Sequence, residues 1–465
     1  MTLTNVNANS FGNLFTLSTD GAIVGQVLYL GNVAVAGKGT HNVIYAATMH
    51  DSVYAFDADD NTGDNASPLW QTSLIPPNAT SVPMSVQGCQ GVTNWTEVGI
   101  VSTPVIDAST NTLYVVAKTY ENGNPVFRLH ALDVTSGQEK LGGPVQIAAS
   151  YVVNGQTETF SAFAETNRPG LLLTNGHVYL GFGSNGCNDF ADQGWVLSYN
   201  ASSLALEGAF STEPGKALAA IWQKNGGLSA DSASNIYAES AEGDFNPGTN
   251  FGSSILKLSQ SGTNLQLADW FTPYNQAYLN SHDLDLNDPV LVLPDQPGAH
   301  PHLALGAGKE GTIYVLDRDN MGNYCASCNA GDTQIVQELL KATGIQTGAF
   351  AYWNSTVYST GVGSPIMAWP LANGLLSTTP AAQTGKVVGG HSPVITSNGS
   401  ANGILWQING SALNAYNAQT LNELYSSDTN AKDTLPPLPH FAALIVVNGK
   451  VYVSTNLGVF VLGLL

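Results

Sequence analysis

The sequence predicts an all-β, eight-bladed propeller on three observations: a unit of short strands that recurs eight times, tight-turn residues at regular spacing, and no helical periodicity. The first unit, "VIYAATMHDSVYAFDADD" from Val43, holds two alternating strands joined by a tight turn, and "PLWQTSL" follows it. Related units begin at Thr112, His177, Asn235, His302, Thr356, Gly403 and Lys450. Each follows another short apolar strand, such as "TPVID" at Thr103 or "SPVIT" at Ser392. Three or four strands per unit, separated by Asn-Gly, Ser-Gly and Asp-rich turns, describe four-stranded antiparallel blades. The last unit ends at Leu465 after three strands, while "NLFTLSTDG" from Asn13 is a lone strand before the first. The N-terminal strand is therefore expected to complete the last blade and hide otherwise unpaired edges. One domain, 1–465, is expected, with blades at about 21–74, 97–148, 166–214, 226–275, 286–343, 347–384, 391–429 and 440–465 plus 13–19.

Composition agrees and narrows the partners. Only 10% of the 465 residues are charged, against a usual ~25%, and 49 glycines disfavour long helices. Fourteen basic against 34 acidic residues give a net charge of −20, and only three arginines occur, Arg128, Arg168 and Arg318. A phosphate-binding surface needs clustered Lys and Arg, so nucleic acid is excluded as a partner, and no apolar run reaches the ~20 residues of a membrane span. A monomer acting on a small molecule or carbohydrate is expected. Abundant Asn, Thr, Ser and Gly with four cysteines predict a secreted or periplasmic protein whose signal peptide is absent from this sequence.

The segment "VYAFDADDNTG…PLW", from Val53 to Trp70, resembles the repeat of quinoprotein-type (PQQ-like) propellers. There an Ala-x-Asp-x-x-x-Gly turn accompanies a tryptophan that docks between blades; "ALDVTSG" at Ala131 repeats the turn and "VLDRDNMG" at Val315 keeps a weaker form. The resemblance implies the propeller fold over nearly the whole chain. It does not extend to the quinone-dependent alcohol dehydrogenases, which resemble one another in an adjacent cysteine pair bridged over the cofactor; Cys-Cys is absent here. The family also includes non-catalytic envelope scaffolds.

Loop length singles out one face. With strands A to D counted outward from the axis, the B to C loops and the connections from D to the next A open on one face, called top here. The extra chain is expected there: B to C loops at 118–126, 183–194 and 239–252, and blade connections at 76–102 and 274–289. Long loops in compact domains are more often functional than accidental. Cys89 and Cys187 both fall on this face, and a disulfide between them is expected. "CASC" at Cys325 to Cys328 sits in a C to D connection, on the opposite face, and is expected to form a local disulfide.

His391 and His440 stand immediately before the inner strands of blades seven and eight, and His50 sits at the B to C turn of blade one. Three imidazoles from consecutive blades, with His282 as a fourth, match the ligand type of a catalytic transition-metal site holding Cu, Fe or Zn. Arg168 opens the inner strand of blade three, and its planar fork suits a carboxylate. Tyr120 and Glu97 belong to top-face loops and are the further catalytic candidates. The leading expectation is thus a metal-dependent oxidoreductase with a channel site. The alternatives are a lyase acting on uronate-containing glycans, with Arg168 neutralising the carboxylate, and a non-catalytic binding or scaffold propeller. His41, His130, His177 and His302 lie at strand starts or within strands, where packing roles are expected.

Overall fold

Eight antiparallel four-stranded blades form the expected propeller. The computed structural model describes residues 1–87, 95–184, 193–216, 218–224, 226–286, 288–346 and 348–465. Blade one is typical: Leu28–Val35, Gly39–Ala47, Ser52–Asp57 and Trp70–Ser73 pair in that order outward. Blade eight takes Leu444–Val447, Lys450–Thr455 and Gly458–Leu464 from the C-terminus and its outermost strand, Phe11–Ser18, from the N-terminus, as the sequence predicts.

The core lies between blades rather than at one centre. Val43, Tyr45, Val53 and Trp70 of blade one cluster with Leu113, Val115 and Leu132 of blade two. Fully burying such side chains contributes roughly 1.5–3 kcal/mol each. A polar joint accompanies several of these packed faces. At the end of strand C an Asx side chain accepts from the backbone amide two residues on: Asp57 from Asp59, Asp133 from Thr135, Asn200 from Ser202, Asp317 from Asp319 and Asn417 from Gln419, at 2.7 to 2.9 Å. That turn leaves the next carbonyl facing the preceding blade, where a strand-B tyrosine donates to it: Tyr45 to Val134, Tyr114 to Ala201, Tyr358 to Ala418 and Tyr452 to Ala58. Trp70 Nε1 also donates to the Val134 carbonyl, at 3.0 Å. Gly137 packs on the Trp70 ring so closely that a Cβ there would lie 2.5 Å from Cε3. The glycine of the repeated turn is thus the seat of the docking tryptophan.

Two loop expectations are corrected. The chain at 118–126 is not a loop: strands Thr112–Glu121 and Asn124–Asp133 run on to an Asn122-Gly123 turn with both φ values positive. Thr80–Pro83 adds to this extension by pairing with Thr119 and Tyr120. "CASC" is not on the bottom face. After strand C of blade five the chain climbs the outer edge of blade four, where Asn323–Tyr324 pairs in parallel with Phe271 and Thr272 at the top end of their strand. Asp269 holds the climb by accepting from Met321 N and Asn323 Nδ2. The Cys325–Cys328 disulfide is formed, whereas Cys89 and Cys187 lie outside the described residues.

Candidate ligand site at the channel mouth

Inner strands begin at the top, so the residues just before them ring the mouth of the channel. Their backbones are tied blade to blade: Gln26 N donates to Thr103 Oγ1, Leu171 N to Thr103 O, Gly170 N to Gly226 O, and Ser454 Oγ to Gly25 O, all at 2.9 Å. Gly227 sits so near Gly170 that a Cβ would approach the Gly170 carbonyl to 2.7 Å. This rigid rim encloses a cavity of about 220 Å³ lined by Gln26, Thr103, Arg168, Leu171, Leu228 and Phe441 among others. At ~30 Å³ per water molecule it has room for a small organic molecule.

Arg168 dominates the cavity chemically. It is 3% exposed, and neither Nε nor Nη2 has a hydrogen-bond partner among the described residues. The guanidinium lies over the Phe441 ring, with Cζ 4.1 Å from the centroid. Burial pushes Arg168 down to about 9, which still leaves it charged at neutral pH. A buried cation without an acidic partner is costly unless a ligand supplies the counter-charge. Phe441 is itself held at φ +71°, in the left-handed region that costs a bulky residue of order 1–3 kcal/mol, and such strain concentrates at functional sites. Its ring meets His440 at 3.9 Å and Trp222 at 6.4 Å between centroids. Burial first, then the charges of Arg168 and Lys224, hold His440 below the usual histidine range. Burial likewise lowers His391, with the His440 charge adding to it.

The sequence-predicted residues separate into two sets. Arg168, His391 and His440 share the mouth. His50 does not join them: it is exposed, and its Nδ1 faces both carboxylate oxygens of Glu97 at 3.1 Å. Tyr120 packs against an apolar cluster that includes Val24, Met49 and Val98. His282 stacks on Tyr278, with centroids 4.1 Å apart, and its Nδ1 bonds the Tyr278 carbonyl at the end of the short helix Gln276–Ser281. The expected histidine cluster is therefore not assembled: among the described residues the group with three ligand atoms within 4.8 Å is Glu242, Asp283 and Asp285. Lys309 already bridges Asp283 and Asp285, the latter at 2.6 Å. The histidines assigned to packing pair with acids, His41 with Asp57, His177 with Glu207, His302 with Asp319, and His130 with Glu139.

Sequence reasoning missed Phe441, Trp222 and the acidic group. Phe441 adjoins His440 at an inner-strand start, and "HDLDLND" from His282 is visibly acidic; nothing local marks Trp222.

No family model and no curated protein matches the sequence. Solved structures do match in fold. The quinohemoprotein alcohol dehydrogenase ADHIIG from Pseudomonas putida HK5 is 13% identical with a TM-score of 0.59, covering 100% of this chain and 77% of that one. A europium-containing methanol dehydrogenase is 12% identical with a TM-score of 0.58, covering 100% and 94%. BamB from Moraxella catarrhalis is 12% identical with a TM-score of 0.55, covering 98% and 100%. The likeness to quinoprotein-type propellers is one of fold. The adjacent cysteine pair of the quinone-dependent enzymes is absent from this sequence, and Lys309 pairs with two of the three carboxylates, Asp283 and Asp285, that could hold a metal.

Proposed function

We propose that this propeller binds a small organic carboxylate at the top of its channel. The observation that carries this reading is the buried Arg168 guanidinium, stacked on Phe441 at a cavity of about 220 Å³ with Nε and Nη2 lacking a partner among the described residues. A carboxylate would take two parallel N–H···O bonds from Nε and Nη2 and neutralise the buried charge. Calorimetry with a panel of monocarboxylates and uronic acids tests it. Binding is expected for the wild type, and Arg168→Gln should weaken it about 100-fold by removing a charge-assisted bidentate contact. Absence of binding to every acid in the panel would sink the reading.

A lyase reading finds support in the neutral His440 imidazole at the same mouth. Arg168 would neutralise a uronate carboxylate, His440 would accept the proton next to it, and the bond to the leaving oxygen would break to give an unsaturated acid. Ultraviolet absorbance growing on incubation with acidic polysaccharides is the readout, and its absence from a broad panel removes the reading. The oxidoreductase reading rests on the fold likeness and on the carboxylates of Glu242, Asp283 and Asp285. Only substoichiometric metal after reconstitution would count against it. The bonded Cys325–Cys328 pair is compatible with a place outside the cytoplasm.

A further inference from the structure

Beside the main cavity lies a niche of only about 10 Å³, formed by Gln26, His391, Ile408 and Ala443 among others. Gln26 and Ala443 line both spaces, so the niche adjoins the Arg168 cavity. A space of this size admits one water-sized group and no carboxylate. His391 Nδ1 is buried and has no hydrogen-bond partner among the described residues, while the Ala442 backbone, which also lines the niche, meets the imidazole and opposes part of the effect of burial. The residue is fixed in place, because its carbonyl accepts from Thr360 Oγ1 of blade six and Gln407 Nε2 of blade seven, each at 3.0 Å. Gln407 Oε1 is a second buried atom without a partner among the described residues. His440, which adjoins the Arg168-stacked Phe441, influences His391 electrostatically, so the two features belong to one mouth.

We infer that the ligand is a hydroxy acid, with its carboxylate on Arg168 and a hydroxyl on His391 Nδ1. This rests on the carboxylate reading above and narrows it. A hydroxyl both donates and accepts, so it pairs with Nδ1 in either tautomer, whereas a second carboxylate needs a donor there. A carboxylate also exceeds the niche in size. The site therefore selects hydroxy monocarboxylates over plain acids of equal length, and leaves dicarboxylates unrewarded for their second charge.

Matched pairs test this: lactate against propionate, and glycolate against acetate, by calorimetry on the full chain. The hydroxy acid is expected to bind about tenfold more tightly in each pair, as one well-placed hydrogen bond in a dry niche allows. His391→Leu should bring lactate down to the propionate level while leaving propionate within about twofold, and Arg168→Gln should weaken both. Equal affinities within each pair, with Arg168 still required, would overturn the hydroxy-acid inference and leave the carboxylate reading standing. No binding by any acid would overturn both. Should His391→Leu fail to fold, the imidazole resonances of His391 in the wild type replace it: a shift with lactate and none with propionate supports the inference, and equal shifts defeat it.

Discussion

Phe11→Ala is expected to destabilise the ring by about 3–5 kcal/mol, read as a lowered midpoint in urea unfolding. The side chain is fully buried, and its ring sits 5.4 Å from Trp406 and 5.0 Å from Tyr425 between blades seven and eight. It also begins the strand that pairs with Gly458–Leu464 and so joins the two ends of the chain. Asp433 adds a polar anchor by accepting from Asn13 N at 2.8 Å. Deleting Phe11–Ser18 should do more, baring the outer edge of blade eight and promoting edge-to-edge association. A midpoint change worth less than about 1 kcal/mol for Phe11→Ala would show that closure does not depend on this packing.

Thermal stability is expected to be higher near pH 5.5 than at pH 8, by several degrees in calorimetric scans. Burial pushes Glu213 up to about 8 and Glu242 up to about 7, and raises Asp51, Glu239 and Asp288 well above the carboxylate range. In the unfolded chain these groups ionise near ~4 to 4.5, so between there and their folded values the native state holds more protons. Stability then falls as pH rises through that window. His391 and His440 act oppositely: lowered by burial, they bind protons sooner in the unfolded chain, and their contribution is lost as pH drops below ~6.5. Asp59 and Asp231, held low by hydrogen bonds, weaken the fold only in stronger acid. Glu213→Gln should flatten the decline toward pH 8. A stability maximum at pH 8 would contradict the dominance of buried carboxyls.

These carboxyls also explain where part of the acidity goes. Glu213 accepts from Asp244 N at 2.7 Å, Glu239 from Asp288 N and Ala307 N, and Asp51 from Lys118 N. Each pins backbone near the top face, so a share of the acids counted in the formal −20 is buried fastening that holds its protons rather than surface charge. Composition alone could not distinguish the two.

The blades were legible because each strand pair and Asx turn is encoded within about twenty neighbouring residues, and the lone strand at Asn13 announced its missing partner. Residues that meet across blades were not. His391 and His440 share a mouth because both precede inner strands, a position the repeat does reveal. His50 lies on a B to C turn, where its reach is outward to Glu97, and repeat position alone does not give that direction. Arg168 was found by scarcity, but its stacking on Phe441 depends on a left-handed backbone at a residue type that seldom adopts one. The climb of Asn323–Tyr324 along blade four was hidden for a similar reason: a parallel edge pairing of two residues leaves no periodic trace.

The tyrosine link from strand B to the next blade's turn, seen at Tyr45, Tyr114 and Tyr358, is also found where the chain ends meet, as Tyr452 to Ala58 at 2.8 Å. Leu465 N moreover donates to Ser10 O at 3.0 Å. The molecule is thus a circle opened within blade eight, between its third strand and its outermost one. A short linker joining the present ends, with new ends cut at the exposed Asn398-Gly399 turn, should give a permuted protein with the same ring and the same mouth.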